Sequence, residues 1–243
     1  PSSVIYSKLK SFGINIDGAK MITSGDVVRH QIQTKEKDEV FSKLGSKLYH
    51  LGANRNQDIL NGIKAEEVKT VADADYVLCS AYFDEGENLL QHDLIFKEML
   101  VLKKPMVCSN PDKVVIHGSK NRYCSGFLAE RYRQMGGEVF VYGKPQKNIF
   151  DFLFNQITVK DQSKVLMIGD TLETDILGAK QAGIDSLLVL TGNMERIIGK
   201  RNQAEKEPCF DDLLKSSDLK PNWFVDRLTF FPFVASRLKG SPP

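Results

Sequence analysis

Apolar positions along the chain fall into two alternating patterns: short continuous runs of the kind buried in a parallel sheet, and stripes at helical spacing. The clearest case is VLMIGDTLETDILGAKQAG at 165–183. Its apolar run stops at Gly169 and Asp170, which predicts a strand buried on both faces with Asp170 just past its carboxyl end. From Leu172 the period changes. Leu172, Ile176, Ala179 and Gly183 recur at helical spacing, and Gly183 is placed to stop the helix. PSSVIYSKLKSFG at the start reads as another helix, capped by Ser2 or Ser3, striped by Ile5, Leu9 and Phe12, and ended by Gly13.

A short strand, MIT at 21–23, an SGD turn and a polar helix through Val27 and Ile32 are expected next. KLYHLG at 47–52 and YVLCSA at 76–81 read as strands. Leu94, Ile95, Met99 and Leu102 give a helix from Leu90 to Leu102, and PMVCS at 105–109 is a strand followed by the turn NPD. The middle region, 34–104, has the size of an inserted lid. Beyond residue 123 the alternation is regular: a helix at 125–135 ending in Gly136–Gly137, a strand EVFVYG at 138–143, a helix KNIFDFLFNQI at 147–157, the segment quoted above, and SLLVL at 186–190. Such βαβα order implies an α/β fold, a Rossmann-like parallel sheet with helices on both faces.

Composition narrows the function classes. With 243 residues, 42% of them hydrophobic and a net charge of +2, the chain has room for one large domain or two smaller ones. It lacks the basic tracts of a nucleic-acid binder. No apolar stretch approaches the roughly 20 residues that cross a bilayer, and no signal pattern opens the chain, so a cytoplasmic location and no membrane are expected. Cys79, Cys108, Cys124 and Cys209 form no CxxC pair, and His30, His50, His92 and His117 form no HExxH pattern; they read as reduced thiols and as structural or solvent-facing imidazoles. The acidic DEGE at 84–87 reads as a solvated loop. Phe150, Phe152 and Phe154, with Phe230, Phe231 and Phe233, read as packing residues. The tail GSPP reads as a floppy end.

Open α/β sheets do their chemistry beyond the carboxyl ends of their strands. Asp170 falls there, and Asp175 follows in the first turn of the next helix. Two such carboxylates suit a hard cation such as magnesium, which takes one or two of them and fills its shell with water and phosphate. Capping the helix or answering its dipole is the competing role for Asp175. Lys144, held between Gly143 and Pro145 at another strand end, is placed to aim an ammonium into the same crevice and neutralise a phosphoryl oxygen. No GxGxxG follows a predicted strand and no GxxxxGK[ST] occurs, which speaks against a nicotinamide enzyme and a P-loop NTPase.

SNPD at 109–112, YGKP at 142–145, MIGDTLETDILGAKQAG at 167–183 and LVLTGN at 188–193 resemble, in order and spacing, the haloacid dehalogenase (HAD)-like hydrolases. The group they resemble is class IIA with a C2-type cap, the NagD-like and 4-nitrophenylphosphatase-like enzymes. ITSGD at 22–26 resembles the passage from core to cap, and Trp223 in PNWFVD the final strand. The resemblance implies a core at 1–30, a cap at 31–105 that selects substrate, and a core at 106–243. It implies a magnesium-dependent phosphatase of small phosphorylated metabolites, in which Lys144 contacts the phosphoryl group, Asp170 and Asp175 serve the metal, and Asn110 lines the substrate pocket. The implied partner is a small phosphorylated substrate, with no nucleic acid; a homodimer is left open.

One departure stands out. In that family an aspartate on the first core strand attacks phosphorus and a second acts as general acid and base. The lone DxD here, Asp73–Ala74–Asp75, precedes its apolar run and reads as a surface turn. The expectation is that a segment carrying the nucleophile belongs to the full-length protein and that these residues alone turn over no ester. A catalytically inactive phosphate-binding or protein-interaction protein is the alternative.

Overall fold

The computed structural model describes residues 2–14, 21–52, 54–80, 82–84, 90–117, 120–159, 161–199, 203–228 and 236–237. The chain forms two compact units, Pro1–Gly143 and Lys144–Pro243. Phe230, Phe231, Phe233, the tail and most of DEGE lie outside the described residues.

The first unit opens with helix α1 (Ser2–Ser11), and Gly13 at φ +77° turns the chain out of it. The stripe of α1 finds no core: none of its residues is buried, and Ile5 and Phe12 stay exposed. Residues 21–23, expected as a strand, make no ladder among the described residues. The reason is local. The Thr23 amide donates to the Asp26 carboxylate and the Thr23 hydroxyl accepts from the Asp26 amide, a reciprocal cap that starts α2 (Ser24–Gln33). The stripe Val27, Val28 and Ile32 of α2 is buried.

Among the described residues, eight strands follow in this unit: β1 (Lys47–Leu51), β2 (Glu66–Val68), β3 (Tyr76–Cys79), β4 (Tyr82–Asp84), β5 (Met106–Cys108), β6 (Val114–His117), β7 (Lys120–Cys124) and β8 (Val139–Val141). Helix α3 (Leu90–Val101) precedes β5, and α4 (Ser125–Gln134) precedes β8. Five strands make a parallel sheet in the order β2-β1-β3-β5-β8, while β4, β7 and β6 make a small antiparallel sheet. All of β3 is buried, as a central parallel strand requires. Phe96 and Met99 of α3 and Leu128 and Tyr132 of α4 pack with Val77, Cys79, Met106 and Cys108. On the remaining core, Phe41 meets Tyr76 edge-on at 5.9 Å between ring centroids.

Because β5 pairs in register with β3 (Val77 with Met106) and β8 with β5 (Met106 with Val139), residues 106–143 belong to the first unit. The two compact units divide between Gly143 and Lys144. The regular alternation beyond 123 runs across two sheets: β8 closes one, and the next strand opens another.

The second unit contains α5 (Lys147–Gln156), β9 (Leu166–Gly169), a π-helical turn Leu172–Ile176 that continues as α6 (Leu177–Ala182), β10 (Asp185–Val189), α7 (Asn193–Ile198), α8 (Gln203–Lys215), β11 (Trp223–Val225) and β12 (Ser236–Arg237). The sheet order is β12-β11-β10-β9, with β9, β10 and β11 parallel. Leu172, Ile176 and Ala179 are buried as the stripe predicts, and Gly183 ends α6 in the left-handed region. Phe150 and Ala179 cover β9 on one face with Val165 and Met167. The opposite face differs from expectation: Leu166 is 45% and Ile168 46% exposed. Strand β9 is the outer strand of its sheet, and among the described residues no strand pairs with its free edge.

The four cysteines are free thiols, three of them buried. Among the described residues no helix is long and apolar enough to cross a membrane.

Candidate active site

The turn after β9 is built around one buried carboxylate. Asp175, 3% exposed, lies in the π-helical turn and points back at the strand end. Its Oδ2 accepts from the backbone amides of Asp170 at 3.0 Å and Thr171 at 3.2 Å, and its Oδ1 accepts from Lys144 Nζ at 2.5 Å. Gly169 makes room for this, since a Cβ there would overlap the Asp175 carboxylate. The Gly-Asp pair in the sequence thus has a steric cause: only the residue without a side chain lets the helix carboxylate reach the amides behind it.

Asp170 is held from the other side. Its Oδ2 accepts from the Asn193 amide at 2.8 Å, and its Oδ1 accepts from the Thr171 hydroxyl at 3.1 Å, while Asn193 Nδ2 donates to Thr171 Oγ1 at 3.0 Å. Gly192, at φ +61° and ψ −126°, delivers Asn193 to this position, and a Cβ on Gly192 would overlap Asp170 Oδ2. Asn193 and Gly192 were not singled out as site residues from sequence. Their signal was the TGN that follows β10, a glycine and a polar residue at a strand end, where open sheets place functional turns.

Lys144 follows Gly143 and is joined to Pro145 by a cis peptide bond. Its side chain is 42% exposed, so the ammonium reaches both Asp175 and solvent. Three of the four residues expected at the site, Lys144, Asp170 and Asp175, are therefore brought together in the second unit. Asn110 belongs to the first, just past β5. Its Oδ1 accepts from the Asp112 amide at 3.1 Å and its carbonyl from the hydroxyl of Ser125 at 3.0 Å. Asp73 and Asp75 stand at the amino end of β3, and Asp75 Oδ2 accepts from the Lys47 amide at 2.8 Å.

A divalent cation fits this turn through Asp170 in particular. The described residues hold no group of three or more His, Cys, Asp or Glu side chains that would cage a metal. Magnesium does not need one, because water and phosphate complete its shell. Asp175 has both oxygens engaged, one by an ammonium and one by two amides, which is the arrangement of a clamp that positions Lys144 and Asp170.

Residues 141–228 match the family model described as HAD-hydrolase-like. Among proteins with known activity, the chain is 31% identical over 93 residues to a glycerol-3-phosphate phosphatase of Gallus gallus, an alignment covering 37% of this chain and 27% of that one. Among solved structures, a haloacid dehalogenase-like hydrolase from Brucella suis superposes with a TM-score of 0.60 at 30% identity, over 71% of this chain and 65% of that chain. The p-nitrophenyl phosphatase from Archaeoglobus fulgidus superposes with a TM-score of 0.69 at 19% identity, over 93% and 78%, a likeness of fold. The chain spans between 18% and 27% of the length of the first curated relatives it matches.

Proposed function

We propose that this chain, which belongs to the haloacid dehalogenase-like hydrolases, carries the electrostatic half of a magnesium-dependent phosphatase that acts on small phosphorylated metabolites. The observation that carries this reading is the Lys144–Asp175–Asp170 arrangement. One ammonium and one available carboxylate are fixed at a strand's carboxyl end by a buried acid. Asp170 would hold Mg2+, which supplies positive charge to the phosphoryl oxygens when bound. Lys144 neutralises a further oxygen, and Asp175 keeps its ammonium and the Asp170 turn in place. The relatives' printed activities, among them glycerol-3-phosphate and phosphoglycolate phosphatases, favour a small phosphorylated metabolite as substrate.

The covalent half is supplied, on this reading, by an aspartate outside these residues. Its carboxylate attacks phosphorus, the alcohol leaves with a proton, and water then hydrolyses the aspartyl-phosphate. The free edge of β9, with Leu166 and Ile168 exposed, supports this: it has the form of a parallel strand awaiting a neighbour, and that neighbour's carboxyl end would open beside Asp170. Hydrolysis of 4-nitrophenyl phosphate with Mg2+ tests the reading. The full-length protein turns over, Asp170→Ala abolishes turnover, and the 243 residues alone give none. Turnover by these residues alone overturns the missing-nucleophile part.

A second reading, a catalytically inactive phosphate-binding or protein-interaction member of the family, is favoured by the position of Asp73 and Asp75 at the amino end of β3, where neither can serve as nucleophile. Phosphate protection against unfolding in a full-length protein without turnover selects it.

A further inference from the structure

Thr171 occupies the N-cap of the turn Leu172–Ile176 in extended backbone, at φ −134° and ψ 124°, yet its side chain makes no capping hydrogen bond. A threonine at that position ordinarily accepts from an amide two or three residues further on. The hydroxyl turns the other way instead: it donates to Asp170 Oδ1 at 3.1 Å and accepts from Asn193 Nδ2 at 3.0 Å.

Arg196 settles the direction of these bonds. Asn193 and Arg196 stand three residues apart on α7, so their side chains rise from one face of the helix. Arg196 Nη1 donates to Asn193 Oδ1 at 3.5 Å, the long end of the hydrogen-bonding range. A guanidinium only donates, so the Asn193 amide turns its oxygen to Arg196 and its nitrogen to Thr171. Thr171 Oγ1 thus receives a proton from Asn193 and sends its own to Asp170. The donors run in a single direction, from Arg196 through Asn193 and Thr171 to the Asp170 carboxylate.

Asn193 therefore acts on Asp170 twice. Its backbone amide donates to Oδ2 at 2.8 Å, and its side chain fixes, through Thr171, the donor on Oδ1. One donor on each oxygen keeps the carboxylate from turning about its χ2 bond and leaves each oxygen a lone pair for a cation. Carboxylates that ligate metals are commonly oriented by neighbours that never touch the ion. Threonine suits the middle of the relay because its branched Cβ restricts χ1. All four residues belong to the second unit.

We propose that Asn193 is a positioning residue for Asp170: its side chain, oriented by Arg196, directs the Thr171 hydroxyl onto the carboxylate and thereby raises affinity for a divalent cation. The cation's identity as Mg2+ rests on the phosphatase reading, whereas the relay itself requires no ion.

Two measurements on the whole chain keep these apart. Three-bond NMR couplings to the Thr171 methyl carbon report its χ1 without metal, and Mg2+ titration followed at the Asp170 and Thr171 amides reports affinity. A single Thr171 rotamer is expected in the parent. Asn193→Ala keeps the backbone amide on Oδ2 and removes only the relay, so Thr171 should average over rotamers and Mg2+ affinity should fall about tenfold. Thr171→Val should weaken Mg2+ binding as much, and Thr171→Ser, which keeps the hydroxyl, should restore it. Adding Asn193→Ala to Thr171→Val should cause no further loss, since the side chain acts through Thr171. Circular dichroism checks the fold of each variant. An unchanged Thr171 rotamer or an unchanged affinity in Asn193→Ala, or additive losses in the double variant, overturns the proposal. A parent that binds no Mg2+, with Thr171 released in Asn193→Ala, counts against the metal in the phosphatase reading and supports the positioning of Asp170.

Discussion

Lys144 Nζ lies 2.5 Å from Asp175 Oδ1, and the second oxygen of the same carboxylate holds the amides of Asp170 and Thr171. One side chain from the first turn of a helix therefore fixes both the ammonium and the turn that presents Asp170. The pair is asymmetric. Asp175 is buried, whereas Lys144 keeps close to half its side chain in solvent, so Lys144 can shift its partner from Asp175 towards an incoming anion without leaving an uncompensated buried cation.

Asp175→Ala tests the clamp. It removes the acceptor of two backbone amides at a part-buried turn, and leaving such donors unsatisfied costs about 1–3 kcal/mol. The ammonium of Lys144, being partly solvated, adds little. Urea unfolding of the variant should show a loss within that range, together with weaker phosphate binding. A variant as stable as the parent would mean that water replaces the carboxylate.

Gly192 and Gly183 make a matched pair of controls. Both have positive φ, but Gly183 sits in the left-handed helical region at φ +70°, ψ +30°, with only Gln162 Oε1 near its Cβ position at 3.9 Å. Gly192 lies at φ +61°, ψ −126°, and its Cβ would meet Asp170. Gly183→Ala should cost about 1 kcal/mol from backbone conformation alone. Gly192→Ala should cost more, up to about 3 kcal/mol for a residue forced into a glycine-only region, and should also displace Asp170 and weaken Mg2+ binding. Equal losses in denaturant midpoint would contradict the steric account.

The elements of the second unit were legible because local signals agree with tertiary packing. The period change at Leu172, the stop at Gly183 and the turn at Gly169–Asp170 each say the same thing at a different scale. Lys144, Asp170 and Asp175 could be named for the same reason. What could not be read was which sheet each strand joins. EVFVYG and VLMIG look alike as apolar runs, yet β8 pairs with β5 and β9 with β10, because pairing depends on contacts remote in sequence. Burial of Leu166, Ile168, Ile5 and Phe12 was expected from pattern alone, and a pattern records which face is apolar without saying what covers it. His50 and Ser80 escaped notice because they lie thirty positions apart and meet only through strand register.

Lys103 offers a stabilising change. It is the sole non-glycine residue with positive φ among the described residues, at +52°. It sits where α3 ends in a Schellman motif, with Lys104 N donating to Met99 O at 2.8 Å and Lys103 N to Leu100 O at 3.2 Å. An L-residue pays about 1–2 kcal/mol for this conformation. Glycine removes that cost and gives back about 0.4–1 kcal/mol through a freer unfolded chain. Lys103→Gly should therefore raise stability by up to about 1 kcal/mol in urea unfolding, and a loss would show that the lysine side chain makes a contact worth more than the strain.

His50 makes stability depend on pH in a direction the structure fixes. Burial pushes its pKa below the ordinary 6.5, against a smaller upward pull from the hydrogen bond to Gln57 and the Glu67 charge. The unfolded chain thus binds a proton on His50 at a higher pH than the folded one does. Stability from this group is fully present above the unfolded value near 6.5 and is lost as pH falls through the interval down to the folded value. In NMR titration the His50 ring should show a midpoint below 6.5. Gln57→Leu should lower that midpoint further, because it removes the acceptor that favours the charged ring while leaving the burial. A midpoint that rises in Gln57→Leu would mean that Gln57 donates to the imidazole, and that Ser80, in turn, receives its proton from His50.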